Sequence, residues 1–219
     1  MNDQIRAEVE RLRTEVCRLH TELTRWGLVT WTSGNVSARV PGTELMVIKP
    51  SGVSYDDLTP ASMVLTTLDG EVVDGEHRPS SDTDAHGYVY RAMPDVGGVV
   101  HTHSPYATAL AICGREIPAV HYMIAAAGGP TIRVAAYATY GTAELSRNAL
   151  QALEGRSACL LANHGMIATG PELDKAMWLA VELETIARQY VISLSIGGPV
   201  LLSDAEIARV KEGFKSYGP

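Results

Sequence analysis

The chain has 219 residues, 46% of them hydrophobic and 20% charged, a balance that suits one globular core of ordinary size. Its formal net charge of −7 argues against nucleic-acid binding, which needs a basic face to displace counterions from phosphates. No apolar run approaches the roughly 20 residues of a membrane span, and Met1 opens no basic-then-apolar leader, so neither membrane association nor export is expected.

In chain order, Ile5, Val9, Leu12, Val16, Leu19, Leu23 and Trp26 repeat at alternating spacings of four and three, which predicts an opening helix with one apolar stripe, stopped at Gly27. Strand-like pieces follow at Val36 to Val40, Leu45 to Ile48 and Met63 to Leu68, the last ending in the turn Asp69-Gly70; they read as an antiparallel meander. Helical patterns then run at about Asp84 to Met93, Pro105 to Cys113, Thr142 to Leu153 and Pro171 to Ser195. Strands near Val96 to Thr102, Thr131 to Ala135 and Ala158 to Ala168 are interleaved with them. A last helix is expected over Ser203 to Tyr217, where Ser203 and Glu206 have the capping-box spacing. With no repeat, low-complexity tract or linker, residues 1–219 read as a single α/β domain, one sheet flanked by helices.

The stretch VVHTHS, Val99 to Ser104, places two histidines one residue apart at the end of an apolar run. Residues i and i+2 of a strand point to the same side, so His101 and His103 can present two imidazoles to one point. A catalytic zinc usually takes three protein ligands and leaves one position open. The third donor is best sought at His164, in LLANHGMIATG, where an apolar strand ends. His20, His77, His86 and His121 read as structural. Cys17, Cys113 and Cys159 are odd in number and form no CxxC pair, so a reducing cytoplasm is expected and a cysteine metal site is not.

Thr32-Ser33-Gly34-Asn35, Pro50-Ser51-Gly52 and Pro79-Ser80-Ser81 each offer hydroxyls and backbone amides at a turn, as phosphate cradles do. The third runs into a predicted helix, whose N-terminus would add the positive end of its dipole. Asp82 follows directly, either as a capping carboxylate or as a general acid/base beside the metal. Tyr122, in an apolar run, is either core or a proton donor at such a site.

Taken in order, TSGNVS, PSG, PSSD, HTH, IPAVHYMIAAAGG, YATYGT, NHG and FKSYG resemble the class II, zinc-dependent sugar-phosphate aldolases, most nearly their fuculose-phosphate branch, over about Gly27 to Tyr217. The resemblance implies a central, mainly antiparallel sheet and a C4 homotetramer with active sites at subunit interfaces. It implies one Zn2+ per subunit on His101, His103 and His164, and a substrate phosphate held at Gly34, Asn35, Ser51, Gly52, Ser80 and Ser81. It gives Tyr122 the aldehyde-side oxygen, and it puts Tyr140, Phe214 and Tyr217 around the aldehyde. The implied reaction splits a ketose 1-phosphate such as L-fuculose 1-phosphate into dihydroxyacetone phosphate and an aldehyde such as L-lactaldehyde, with a carboxylate returning a proton to C3. Where those aldolases carry glutamate this chain has Asp82, one methylene shorter, and PSSDT resembles the related L-ribulose-5-phosphate 4-epimerases instead. The aspartate those epimerases use after the IPA motif would fall within Ile124 to Ala127, where this chain has Ile-Ala-Ala-Ala, so the aldolase reading is favoured. A metal-free binding protein of the adducin branch is the third possibility, disfavoured by the intact histidines.

Overall fold

The structure, a computed structural model, describes residues 1–214. Helix α1 (Asp3–Arg25) is capped by Asn2, whose side chain accepts from Ile5 N, and buries Val9, Leu12, Val16, Leu19 and Leu23. Trp26 leaves the expected stripe: it lies beyond the helix end and is exposed, because the chain turns away at Gly27. The strands are β1 (Asn35–Arg39), β2 (Leu45–Ile48), β3 (Val64–Thr67), β4 (Val72–Asp74), β5 (Gly98–Thr102), β6 (Val134–Ala135), β7 (Ala158–Leu161) and β8 (Gly165–Gly170). They form one eight-stranded sheet in the order β4-β3-β2-β1-β5-β8-β7-β6, antiparallel throughout except at β6–β7.

Strands β1 to β3 are the expected meander, extended by the exposed β4 after the Asp69-Gly70 turn. The single strand expected over Ala158 to Ala168 is instead a hairpin. Asn163 takes a left-handed conformation, φ 54, and reverses the chain between β7 and β8. Asparagine is one of the few residues that adopts it cheaply, and a buried apolar run on both sides hides the reversal from periodicity.

Helices α2 (Thr83–Ala92) and α4 (Ala143–Leu153) cover one face; α1, α3 (Pro105–Ile112) and α5 (Leu173–Ser195) cover the other, with α6 (Asp204–Phe214) against the turn at Tyr122–Ala127. Alternate residues feed separate cores. Val100, Leu160 and Met166 join the α1/α3/α5 side, while Val99, Cys159 and Ile167 join the α2/α4 side. Strands covered on both faces read as near-continuous apolar runs, as these do. The helix expected to Tyr217 is seen to Phe214; Tyr217 lies outside the described residues.

Candidate metal centre and phosphate cavity

The middle strands carry the site. Asn35 on β1 pairs with His101 on β5, and His101 pairs with Ile167 on β8. His103 follows β5, and His164 sits in the β7–β8 turn, where its N–H donates to Leu161 O and Asn163 N–H to Ala111 O of α3. Gly165 is required there, since a Cβ would meet Thr102 O at 2.2 Å. The carboxylate of Glu184 on α5 accepts from Tyr106 N and Ala107 N, fixing the start of α3 just after the histidine pair.

His101, His103 and His164 bring their ring nitrogens within 4.8 Å of one another. His101 Nδ1 lies 2.9 Å from Met166 O and donates to it, so Nε2 is left as the ligating atom, 3.1 Å from His103 Nε2. Two nitrogens on a tetrahedral zinc lie about 3.3 Å apart, as follows from Zn–N bonds of about 2.0–2.1 Å. The donor set therefore fits a metal ion of the kind imidazole favours, with a backbone carbonyl fixing one ring as a second shell does. Burial lowers the basicity of all three rings, with His164 brought to about 4 by burial and the neighbouring His101, so each is a neutral ligand at ordinary pH.

Asp82 does not cap α2 with its side chain. Its Oδ2 accepts from Asn35 Nδ2 at 2.7 Å and lies 4.0 Å from His101 Nε2. Burial pushes the carboxyl up, but His101, His86 and the Asn35 amide outweigh it and hold the group below the usual carboxylate range.

A polar ladder docks α2 on β1. Asp82, His86 and Tyr90 recur every four residues on the helix, facing Asn35, Ser37 and Arg39, which recur every two on the strand. The two repeats match because four helical residues rise about 6 Å and two strand residues about 6.6 Å. Asn35 holds Asp82 and Ser80; Ser37 meets His86 and Tyr90; Arg39 donates to Tyr90 O and stacks 5.2 Å from its ring.

The three predicted cradles converge on one cavity of about 460 Å3, into which His103, His164 and Asp82 also open. The loops are stitched together, with Ser51 N donating to Arg78 O and Ser80 N to Lys49 O. Gly34 has φ 75, and a Cβ there would meet His101 O at 2.8 Å, so this turn also needs glycine. Tyr140 lines the rim. Lys49 and Tyr137, which sequence reasoning passed over, line the cavity as well. Lys49 is 2% exposed, donates to Thr32 O at 2.9 Å, and is lowered by burial to about 8. A lysine ending the buried strand Leu45–Ile48 just before Pro50-Ser51-Gly52 was the available signal.

Within one chain Tyr122 and Phe214 do not reach this cavity. Tyr122 is 48% exposed, and Phe214 lines another depression with Ala125, Ala126 and Gly128, against the turn that begins at Tyr122.

The family described as Class II Aldolase and Adducin N-terminal domain matches residues 14–191. The chain belongs to that family. It is 52% identical over 196 residues to a 5-methylthioribulose-1-phosphate/5-deoxyribulose-1-phosphate aldolase of Rhodospirillum rubrum, covering 90% of this chain and 87% of the relative. It is 47% identical over 197 residues to the L-fuculose phosphate aldolase of Escherichia coli, covering 90% of each. Among solved structures, an L-fuculose 1-phosphate aldolase superposes with a TM-score of 0.90 at 40% identity, over 94% of this chain and 96% of that one. The protein is thus a class II aldolase, an aldehyde-lyase of a generally metal-dependent family, and its histidine cluster can hold the ion. No helix among the described residues is long and apolar enough to cross a membrane.

Proposed function

We propose that this class II aldolase is zinc-dependent and cleaves, reversibly, a deoxyketose 1-phosphate to dihydroxyacetone phosphate and a short aldehyde with an apolar end. The observation that carries this reading is a cluster of three imidazoles at one cavity, into which two of them, Asp82 and three phosphate-type loops open. The relatives' substrates by name, L-fuculose phosphate and 5-deoxyribulose 1-phosphate, share a deoxygenated chain end, which suits the aromatic rim of Tyr137 and Tyr140.

The loops at Gly34-Asn35, Ser51-Gly52 and Ser80-Ser81, with the Lys49 ammonium, seat the phosphate and so turn remote binding energy into orientation. His101, His103 and His164 would hold the zinc ion, which when bound would supply Lewis acidity toward the substrate's carbonyl oxygen. When the C3–C4 bond breaks its electron pair stays with the ketone fragment, and Asp82, held by Asn35 and protonated from solvent beforehand, delivers that proton to C3. Tyr122 relays to solvent the proton that the aldehyde-side oxygen gives up.

Because Tyr122 and Phe214 lie away from the cavity of their own chain, the reading includes a C4 homotetramer in which a neighbouring subunit brings them, with Tyr217, to the aldehyde end. The compartment is the cytoplasm, which suits the three free cysteines.

The test is a coupled assay for triose phosphate with L-fuculose 1-phosphate, 5-deoxyribulose 1-phosphate and 5-methylthioribulose 1-phosphate on the zinc-loaded protein. Release from at least one, with about one zinc per chain, is expected; none from any would overturn the proposal. The aspartate at position 82 favours one second reading, 4-epimerisation of L-ribulose 5-phosphate, which interconversion with xylulose 5-phosphate without cleavage would reveal.

A further inference from the structure

Donor counting on the Ser37, His86 and Tyr90 rungs of the ladder between β1 and α2 fixes their protons and leaves the His86 Nε2 acceptor over. Tyr90 Oη donates to the Ser37 carbonyl at 2.9 Å, which commits its only proton. The 2.8 Å contact between Ser37 Oγ and Tyr90 Oη is then donated by Ser37, so Ser37 Oγ must accept from His86 Nδ1 at 2.6 Å. His86 therefore carries its proton on Nδ1 and presents a bare Nε2. That nitrogen is fully buried and has no hydrogen-bond partner among the described residues.

His86 lines a small cavity of about 10 Å3, shared with Asp82, His101 and His164 and otherwise walled by apolar side chains such as Leu145 and Ile167. This is the volume of about one water-sized sphere. His101 Nδ1 is already committed to Met166 O, which leaves a bare imidazole nitrogen and a carboxylate on the same cavity. Two acceptors cannot bond each other, whereas one water can donate to both.

We propose that a single buried water in this cavity donates to His86 Nε2 and to the Asp82 carboxylate, which makes His86 a positioning residue for the proton donor at C3. The inference rests on the role given to Asp82 above. It accounts for how a side chain one methylene short of glutamate is kept in place: Asn35 holds Oδ2 from the strand side, and the water holds the carboxylate from the helix side.

The experiment joins crystallography of the zinc-loaded protein, at a resolution that orders buried waters, with kinetics of solvent exchange at C3 of dihydroxyacetone phosphate. His86→Asn keeps a donor at the Nδ1 position for Ser37 and removes the acceptor; His86→Gln keeps a polar atom at the Nε2 position. The expected result is a water within hydrogen-bond distance of both groups in the wild type, absent in His86→Asn. That variant should lose roughly tenfold to a hundredfold in kcat for exchange, with KM and zinc content unchanged, and His86→Gln should recover part of the loss. A cavity without water, wild-type exchange in His86→Asn, or a parallel fall in zinc content would overturn it. Should the asparagine variant not fold, the wild-type crystal decides alone. Failure of the Asp82 assignment is distinguishable: Asp82→Asn would then exchange normally, while the wild-type water would still be seen.

Discussion

Asn35 Nδ2 donates to Asp82 Oδ2 at 2.7 Å, joining a central strand of the sheet to the residue that precedes helix α2. The same amide donates to Ser80 Oγ, so one side chain sets both the Ser80 loop and the carboxylate. A hydrogen bond to the charged form lowers a carboxyl pKa, and losing it raises that pKa. Asn35→Ala should therefore move the acid limb of C3 proton exchange in dihydroxyacetone phosphate, where the Asp82 carboxylate must take the proton, to higher pH and cost roughly tenfold to a hundredfold in kcat. An unmoved limb in a pH-rate profile would remove Asn35 from this role.

Asp82→Asn separates proton transfer from metal binding. Solvent exchange at C3 should fall by about 10²- to 10⁴-fold, the usual contribution of a positioned acid/base, while zinc content stays at the wild-type level. His103→Ala should lose both. Elemental analysis beside NMR of the exchanging proton reads the two effects independently.

Lys49 carries the cavity's buried positive charge, and burial brings it to about 8. The cationic form exists below that value, so phosphate affinity should be full at neutral pH and decline as pH rises through about 8. Lys49→Met should raise KM for the ketose phosphate by about tenfold or more, as expected when one charge-assisted hydrogen bond to a phosphate is lost. Calorimetric titration with inorganic phosphate checks this without turnover, and equal affinity in the variant would contradict it.

The sequence shows some of these features and hides others for identifiable reasons. The α1 stripe, the meander and the i, i+2 pair His101/His103 are periodic, and periodicity is readable. Trp26 continues the spacing but not the helix, since Gly27 breaks the chain first. The β7–β8 reversal was invisible because Asn163 sits between two apolar segments that both face packed helices. Lys49 carries no sign of burial in the sequence, since a lysine is ordinarily a surface residue and only the closing of the Lys49–Gly52 and Arg78–Ser80 segments on each other buries it. Tyr122 and Phe214 rest on a resemblance alone, and within one chain neither lines the cavity.

His20 predicts how the fold responds to acid. Its Nδ1 donates to Val16 O at 2.6 Å and its Nε2 accepts from Val36 N–H at 3.1 Å, an arrangement only the neutral ring can make. Burial lowers it to about 3. The unfolded chain binds a proton below its ordinary value of about 6.5 that the native chain refuses, so stability falls as pH drops through that window. The slope is about 1.4 kcal/mol per pH unit for this group, and His86, also lowered to about 3, acts in the same sense. Urea unfolding midpoints across the window measure it; a midpoint flat down to about pH 4 would exclude it.

Gly165→Ala tests the hairpin that presents His164. The added methyl meets the Thr102 carbonyl, which is held in the β5–β8 ladder. Overpacking of this kind costs about 1–3 kcal/mol, and the forced separation of the strands should lower zinc occupancy with it. Thermal melting and metal analysis of the variant give the two values; wild-type results in both would show that the ladder yields freely.

His101 bonds Met166 across 65 positions of sequence, and His164 belongs to the same distant hairpin. The three-nitrogen grip therefore comes into being only once β5 and β8 have paired. An unfinished chain offers an ion just the two neighbours His101 and His103. A metal ion held there would act as a late lock on an already registered sheet: it would stabilise the folded form by mass action and give little guidance to the chain on its way there.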